Sequence, residues 1–317
     1  MPPPPHALRL DGRELVYAGF ERRGDTLALV AGAEVPLDAE TFQSGLLGGP
    51  AREPGAFEAR VAELVAAAGG EGKAPTHASL VIPDAWLRVA FADSGELPPE
   101  GEGRDDVLRW KLKRLVPFRV EELRLSSVEV TPLPLQSTEE PHRLLLGFAV
   151  DSLLTQVEAA FDKVGVRIGR ITNDSLALLA AVVGGTATDD QRLDGLVRVA
   201  DSGYTLVFHR GDEPVLHRYK GFAGDLPEGS HDHLVRRDLR LTRTFLEEQL
   251  PGVPLGRVLV AAPDDVAAAW CERLAAGLDC AAEPLERHHL PPLEVAAANA
   301  DWQRLGPMVG AACQEVA

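Results

Sequence analysis

Two stretches far apart in the chain share one design. Leu8-Arg9-Leu10-Asp11-Gly12 is followed by Leu15-Val16-Tyr17, and Val199-Ala200-Asp201-Ser202-Gly203 is followed by Tyr204-Thr205-Leu206. Each is an apolar run that closes on an aspartate, turns on a glycine and starts a second apolar run. Such a strand, turn and strand admits two readings. It is a plain β-turn, where Asp and Gly are common for conformational reasons. It is also the form of a phosphate-binding hairpin, in which glycine lets backbone N–H groups approach the phosphate and the aspartate holds a metal or its water. One copy opens each half of a chain of 317 residues. That placement favours a duplicated architecture of two halves that begin alike.

The segments between fit an α/β layering. Strands are expected at 6–10, 15–20 and 26–31, then a helix at 57–68, where Phe57, Val61 and Leu64 recur at helical spacing. A short apolar strand at 78–82 is expected to form a hairpin with 87–92. A helix follows, capped by Asp105 or Asp106, with Leu108, Leu112 and Leu115 on one face and Pro117 as its stop. Strands at 122–130 and 144–150 lead to a helix at 153–164 closed by Gly165. A strand at 166–171 and a helix at 174–183 complete the first half. The second half reads as a strand at 196–201, a hairpin of 204–209 with 215–220, a helix at 234–250, a strand at 257–261, a helix at 266–274, a short strand at 281–284 and a closing helix at 305–316. Alternating strands and helices of this kind make layered α/β folds. The expected divisions are 1–75 and 172–190 for the first half, 76–171 for an inserted α+β subdomain, and 191–317 for the second half.

Charge and composition narrow the function. The formal net charge is −16, from 48 acidic and 32 basic residues. A chain so acidic is repelled by nucleic-acid phosphates and anionic lipid heads. No apolar run approaches the roughly 18 residues that span a bilayer, and the opening MPPPPHALRL has no apolar core of a signal peptide. Any membrane association is therefore expected through another protein. Three cysteines, Cys271, Cys280 and Cys313, suggest a reducing compartment. They match no zinc spacing, and no metal is expected. Gly69-Gly70-Glu71-Gly72-Lys73-Ala74 approaches a P-loop but lacks its first glycine and its final Ser or Thr. His231-Asp232-His233 reads as a solvated turn.

A resemblance sharpens the fold. Ile82-Pro83-Asp84, then Leu108–Phe118 with its Val116-Pro117-Phe118 step, then Val120-Glu121-Glu122-Leu123 resemble the PilM family of type IV pilus assembly proteins. Gly165-Val166, Asn173-Asp174-Ser175-Leu176-Ala177-Leu178, Thr242–Phe245, Gln249–Gly252 and Arg257–Val260 are similar to later parts of that family, in order. The resemblance implies an α/β, actin-like (ribonuclease H-like, duplicated) fold with a small α+β subdomain inserted in the first half. It implies a cytoplasmic scaffold, peripheral at the inner membrane, that holds the cytoplasmic tail of a single-span PilN-like protein and contacts the assembly ATPase. The cytoplasmic region of the type II secretion protein GspL is built similarly, so a GspL- or GspM-like partner is the secretion counterpart.

The phosphate-loop positions by this resemblance are Asp11, Gly12, Asp201, Gly203 and Thr205, and each loop departs from the pattern. Arg13 and Glu14 stand where small residues are expected. Tyr204 replaces another small residue. Ala261-Ala262-Pro263-Asp264-Asp265 brings two carboxylates and no glycine to a third approach. Between Lys220 and Leu234 there are too few residues for the relatives' nucleotide-side subdomain. A degenerate site without nucleotide, cofactor or catalysis is the expectation. An ATP-binding or ATP-hydrolysing actin-like enzyme is the alternative. A cell-division scaffold of the FtsA type fits less well, since 305–316 is not a basic amphipathic helix. The expected partner surface is Arg109, Trp110, Lys111, Arg114 and Phe118, because exposed Trp and Arg together mark interface hot spots. Arg236, Arg240 and Arg243 fall on one helix face and read as solvated.

Overall fold

β1 (His6–Leu10) and β2 (Glu14–Arg23) form the first hairpin, and β3 (Thr26–Pro36) continues the meander. The first turn is local chemistry. Asp11 Oδ1 accepts the backbone N–H groups of Arg13 at 2.9 Å and Glu14 at 3.0 Å, and Gly12 takes φ +85°, which a side chain would resist. After α1 (Pro54–Gly69), β4 (His77–Ile82) runs parallel to β1. The chain then leaves this sheet through β5 (Arg88–Asp93), α2 (Glu102–Lys113), β6 (Leu123–Val130) and β7 (Arg143–Val150). It returns by α3 (Asp151–Asp162) to β8 (Arg167–Asn173), parallel to β4, and enters α4 (Asp174–Gly185). The second half runs β9 (Leu193–Ala200), β10 (Gly203–Arg210), β11 (Glu213–Gly221), α5 (Ser230–Gln249), β12 (Leu255–Ala261), α6 (Asp264–Leu278) and β13 (Ala281–Pro284). It closes with β14 (Leu293–Glu294) and α7 (Trp302–Cys313). This computed structural model describes residues 5–69, 75–93, 98, 101–116, 119–133, 143–186, 189–222, 230–295 and 301–313.

Among the described residues three sheets form, ordered β14-β3-β2-β1-β4-β8, β11-β10-β9-β12-β13 and β5-β7-β6. The period of two along a strand sorts side chains between layers. In β1, Leu8 and Leu10 face α1 and α3, where Phe57, Val61, Leu64, Val157 and Phe161 are buried. Ala7 faces the opposite way, towards α4 and α7. Those two helices fill the space between the large sheets, so α4 buries Ala177, Leu178, Leu179, Ala181 and Val182 around most of its surface, the mark of a fully enclosed helix. α7 lies close against it: a Cβ added at Gly310 would strike the Ala177 carbonyl. α5 and α6 cover the far face of the second sheet through Val235, Leu239, Leu246, Trp270 and Leu274.

The topology redraws several expected boundaries. Residues 87–92 do not pair with 78–82; β5 pairs with β7, and β4 sits between β1 and β8. Ala78, Leu80, Val81 and Ile82 are all buried, which is what a central parallel strand requires on both faces. The small sheet therefore draws on 88–150 rather than 76–171. The stretch 191–317 also divides, because β14 pairs with β3 and α7 packs on β1 and β4. α2 begins at Glu102 after Gly101, ahead of both expected capping aspartates. It ends before Leu115, which is 51% exposed, whereas Leu108 and Leu112 are buried. His231-Asp232-His233 is the first turn of α5 rather than a loop, with Asp232 bound to Arg273 at 2.7 Å and to Arg236 at 2.8 Å. Pro117, Phe118, residues 70–74 of the P-loop-like stretch and residues 223–229 lie outside the described residues.

Candidate functional site

The β1–β2 and β9–β10 turns face each other across the two halves. At the second turn, a Cβ on Gly203 would strike the Lys220 carbonyl, so only glycine lets β10 lie this close to β11. The turns are joined directly: Arg13 Nη1 lies 2.6 Å from Asp201 Oδ2. The other charges nearby are also paired. Asp11 holds Arg9 at 2.9 Å, and Glu14 holds Arg304 at 2.6 Å, which in turn holds Glu34 at 2.6 Å. Burial pushes the Glu14 carboxyl up despite Arg304. Thr205 is buried. Tyr204 turns away from the cleft, donating to Asp238 Oδ2 at 2.9 Å and packing on Trp270. Burial and the Asp238 charge push its phenol well above the usual range. At the third approach, Pro263 caps α6 and Asp264 and Asp265 form its first turn. The Ala262 carbonyl accepts from Gln303, whose Oε1 is 3.4 Å from Arg198. Asp11 and Gly12 stand on one side of the cleft between these turns and Asp201 and Gly203 on the other, with Asp11 and Asp201 each holding an arginine, while Thr205 is buried within β10.

Beneath the cleft lies a cluster that sequence reasoning did not assign. Asn173-Asp174-Ser175, where β8 becomes α4, touches both large sheets and the residue that leads into the small one. Asn173 Oδ1 caps α4 by accepting Leu176 N–H at 2.9 Å, and its Nδ2 donates to the Leu87 carbonyl beside β5 at 3.0 Å. Asp174 accepts two hydrogen bonds from Arg9 of β1, at 3.0 and 3.1 Å, and lies 3.8 Å from Arg198 of β9. Burial alone would raise this carboxyl, but Arg9 and Arg198 together hold it below the usual carboxylate range. Ser175 Oγ donates to Asp84 Oδ1 after β4 and lies 2.8 Å from His217 Nε2 of β11. Asn173 Nδ2 lies 3.5 Å from the same imidazole nitrogen. Nδ1 of His217 is buried and has no hydrogen-bond partner among the described residues. Both Asp84 and Asn173–Ser175 stand in motifs read from the sequence, yet nothing there showed that they meet. His217 gave no signal at all.

A groove of about 1070 Å³ runs beside this cluster. One wall is β8 with Leu176, Leu179 and Val183 of α4; the facing wall is β6 with Leu125, Ser126 and Val128. Both strands end their sheets and, among the described residues, neither pairs on its outer side. Arg124 of β6 closes one flank, bound to Asp151 at 2.7 Å, Glu158 at 2.8 Å and Thr155 at 2.9 Å.

The expected partner surface is elsewhere. Trp110 is 59% exposed on α2, with the Arg114 guanidinium 5.4 Å from its ring centre. Arg109 turns towards the Leu123 carbonyl at 3.3 Å, and Lys111 is half-buried. None of these four lines the groove.

No protein-family model matches the chain, and no curated protein does. Solved structures do. A chain of the PilM–PilN type IV pilus biogenesis complex superposes with a TM-score of 0.71 at 17% identity, covering 98% of this chain and 96% of that one. A protein of unknown function with an actin-like ATPase fold from Bacteroides thetaiotaomicron superposes with a TM-score of 0.53 at 9% identity, covering 98% and 95%. At these identities the likeness is one of fold. The chain has the actin-like fold, with two sheets built around paired Asp/Gly turns and a small sheet inserted in the first half.

Proposed function

We propose that the protein is a non-enzymatic scaffold of a type IV pilus assembly platform that holds an extended cytoplasmic segment of a single-span, PilN-like membrane protein. The groove between the open edges of β6 and β8 carries this reading. An extended segment laid there gains main-chain hydrogen bonds from an unpaired strand edge, and its alternate side chains enter the apolar floor. The solved structure with the higher TM-score of the two above belongs to a PilM–PilN complex, which supports a partner of that kind. Among the described residues no helix is long and apolar enough to cross a membrane, so a tail of a membrane-spanning partner would supply the attachment at the inner membrane.

The cleft supports the scaffold reading from the other side. A bound Mg-nucleotide needs carboxylates free for the metal's shell and N–H groups open to phosphate. Here Asp201 is bridged to Arg13, Asp11 to Arg9 and Glu14 to Arg304. We read the cleft as a former nucleotide site whose place is taken by ion pairs.

The test is a calorimetric titration of synthetic peptides spanning the cytoplasmic tails of single-span proteins from the host's pilus and type II secretion operons. One pilus tail should bind the wild type, and Ser126→Trp, which fills the groove from an exposed strand position, should abolish it. A secretion tail that binds in place of the pilus tail would move the protein to that machine. Binding that survives Ser126→Trp, or no binding by any tail, would refute the assignment. Mg-ATP should leave the melting temperature unchanged, since only a ligand of the folded state raises it. A rise that disappears in Asp201→Ala would restore the ATP-binding alternative.

A further inference from the structure

The groove has a third wall that neither β8 nor the small sheet provides. Asp212, Glu213 and Pro214, at the β10–β11 turn of the second half, line its end. That turn is tied to the small sheet at several points. The Glu213 carboxylate accepts the backbone N–H of Thr131, directly after β6, at 3.1 and 3.2 Å. Arg143, at the start of β7 and only 3% exposed, donates from Nη2 to the Val215 carbonyl at 2.8 Å. The Arg88 guanidinium of β5 lies 4.0 Å over the Tyr219 ring of β11. In the cluster beside the groove, His217 of β11 meets Ser175 of α4. Every one of these contacts joins the second sheet to the insertion or to α4, and every one is lost if the halves part.

We propose that the groove is a composite site, complete only while the second half is closed on the first, so that a segment seated in it and a closed cleft stabilise each other. The reading that the groove takes a partner segment is its premise. Opening would strip the end wall, release the Thr131 N–H and expose the buried Arg143 guanidinium. At the far mouth of the same interface, Arg13 and Asp201 bridge the two turns. This ion pair is exposed and so contributes little by itself. It is nonetheless placed to bias the opening, and the bias should be felt at the groove. Reciprocity then requires that a bound segment protect the cleft turns as much as a closed cleft favours the segment.

Hydrogen–deuterium exchange read by mass spectrometry tests this on the full chain. Asp201→Arg sets two arginines against each other at the cleft mouth. Exchange over residues 123–133 should quicken about two- to fivefold, the range an exposed ion pair spans. The double variant Arg13→Glu/Asp201→Arg rebuilds the pair with its charges exchanged and should restore wild-type exchange there. The tail peptide that binds in calorimetry, added to the wild type, should slow exchange over residues 198–206. Unchanged exchange over 123–133 in Asp201→Arg overturns the proposal, whatever happens at the substituted turn. So does a bound tail that leaves 198–206 unaltered. If no tail binds, the partner reading fails while the Asp201→Arg comparison still decides whether cleft and groove move together.

Discussion

Asp174→Ala removes one carboxylate and leaves two buried arginines. Asp174, Arg9 and Arg198 are 4%, 7% and 8% exposed, so water does not replace what is lost. The two guanidinium groups fare differently. Arg9 keeps Asp11 at 2.9 Å and Glu14 at 3.6 Å. Arg198 is left with Gln303 at 3.4 Å, and its Nε already has no partner among the described residues. Breaking a buried pair by removing one member costs about 3–5 kcal/mol, because an uncompensated charge stays inside. Against a whole-domain stability of roughly 5–15 kcal/mol that loss is severe. Urea unfolding followed by far-ultraviolet circular dichroism should show the midpoint fall with the slope m unchanged. The pH dependence gives a second reading. Arg9 and Arg198 depress the folded carboxyl below its unfolded value near 3.9. The unfolded state therefore binds the proton first on acidification. The carboxylate's contribution is complete above about pH 4 and is lost as pH falls through the folded pKa. Asp174→Asn should accordingly flatten the acid limb of the stability curve while lowering its plateau. A loss under about 1 kcal/mol at pH 7, with the acid limb unchanged, would mean that the cluster at 173–175 is not the junction of the two large sheets.

Other substitutions probe the packing around it. Leu112→Ala, at a site with no exposed surface, should cost about 2–5 kcal/mol, whereas Leu115→Ala should stay within about 0.5 kcal/mol; equal effects in urea unfolding would misplace the end of α2. Gly310→Val drives a side chain into the Ala177 carbonyl, and overpacking of this kind costs about 1–3 kcal/mol or more; a melting temperature like that of the wild type would show that α7 does not lie on α4 as closely as described.

Much of this fold was readable because period and punctuation act locally. Gly165, expected as a helix stop, takes φ +80° just past α3, and the hairpin read at 204–209 and 215–220 is β10 with β11. The misreadings share a physical cause. Residues 78–82 and 87–92 are adjacent short strands, and adjacency suggests a hairpin. Their partners were decided instead by burial: from Ala78 to Ile82 β4 is buried on both faces and belongs between parallel neighbours, while β5 leaves its residues half-buried and pairs with β7. Leu115 misled for the opposite reason, since helical spacing predicts a face only for as long as the helix lasts, and α2 stops at Lys113.

The cleft and the cluster below it show where sequence reasoning ends. Arg13 could be read as an intruder in a phosphate turn, because the substitution is local to one hairpin. That its guanidinium would find Asp201, in a turn 188 positions later in the numbering, depends on how two sheets stack on α4 and α7. The same holds for Asp84, Ser175 and His217, which come from three separate elements. Most buried polar groups find a partner, so once a sandwich of this kind forms, its polar side chains select one another across the junction. An arginine where a small residue was expected then has two meanings that only the fold can separate: a lost phosphate site, and a bridge that holds the two halves in the closed arrangement the groove requires.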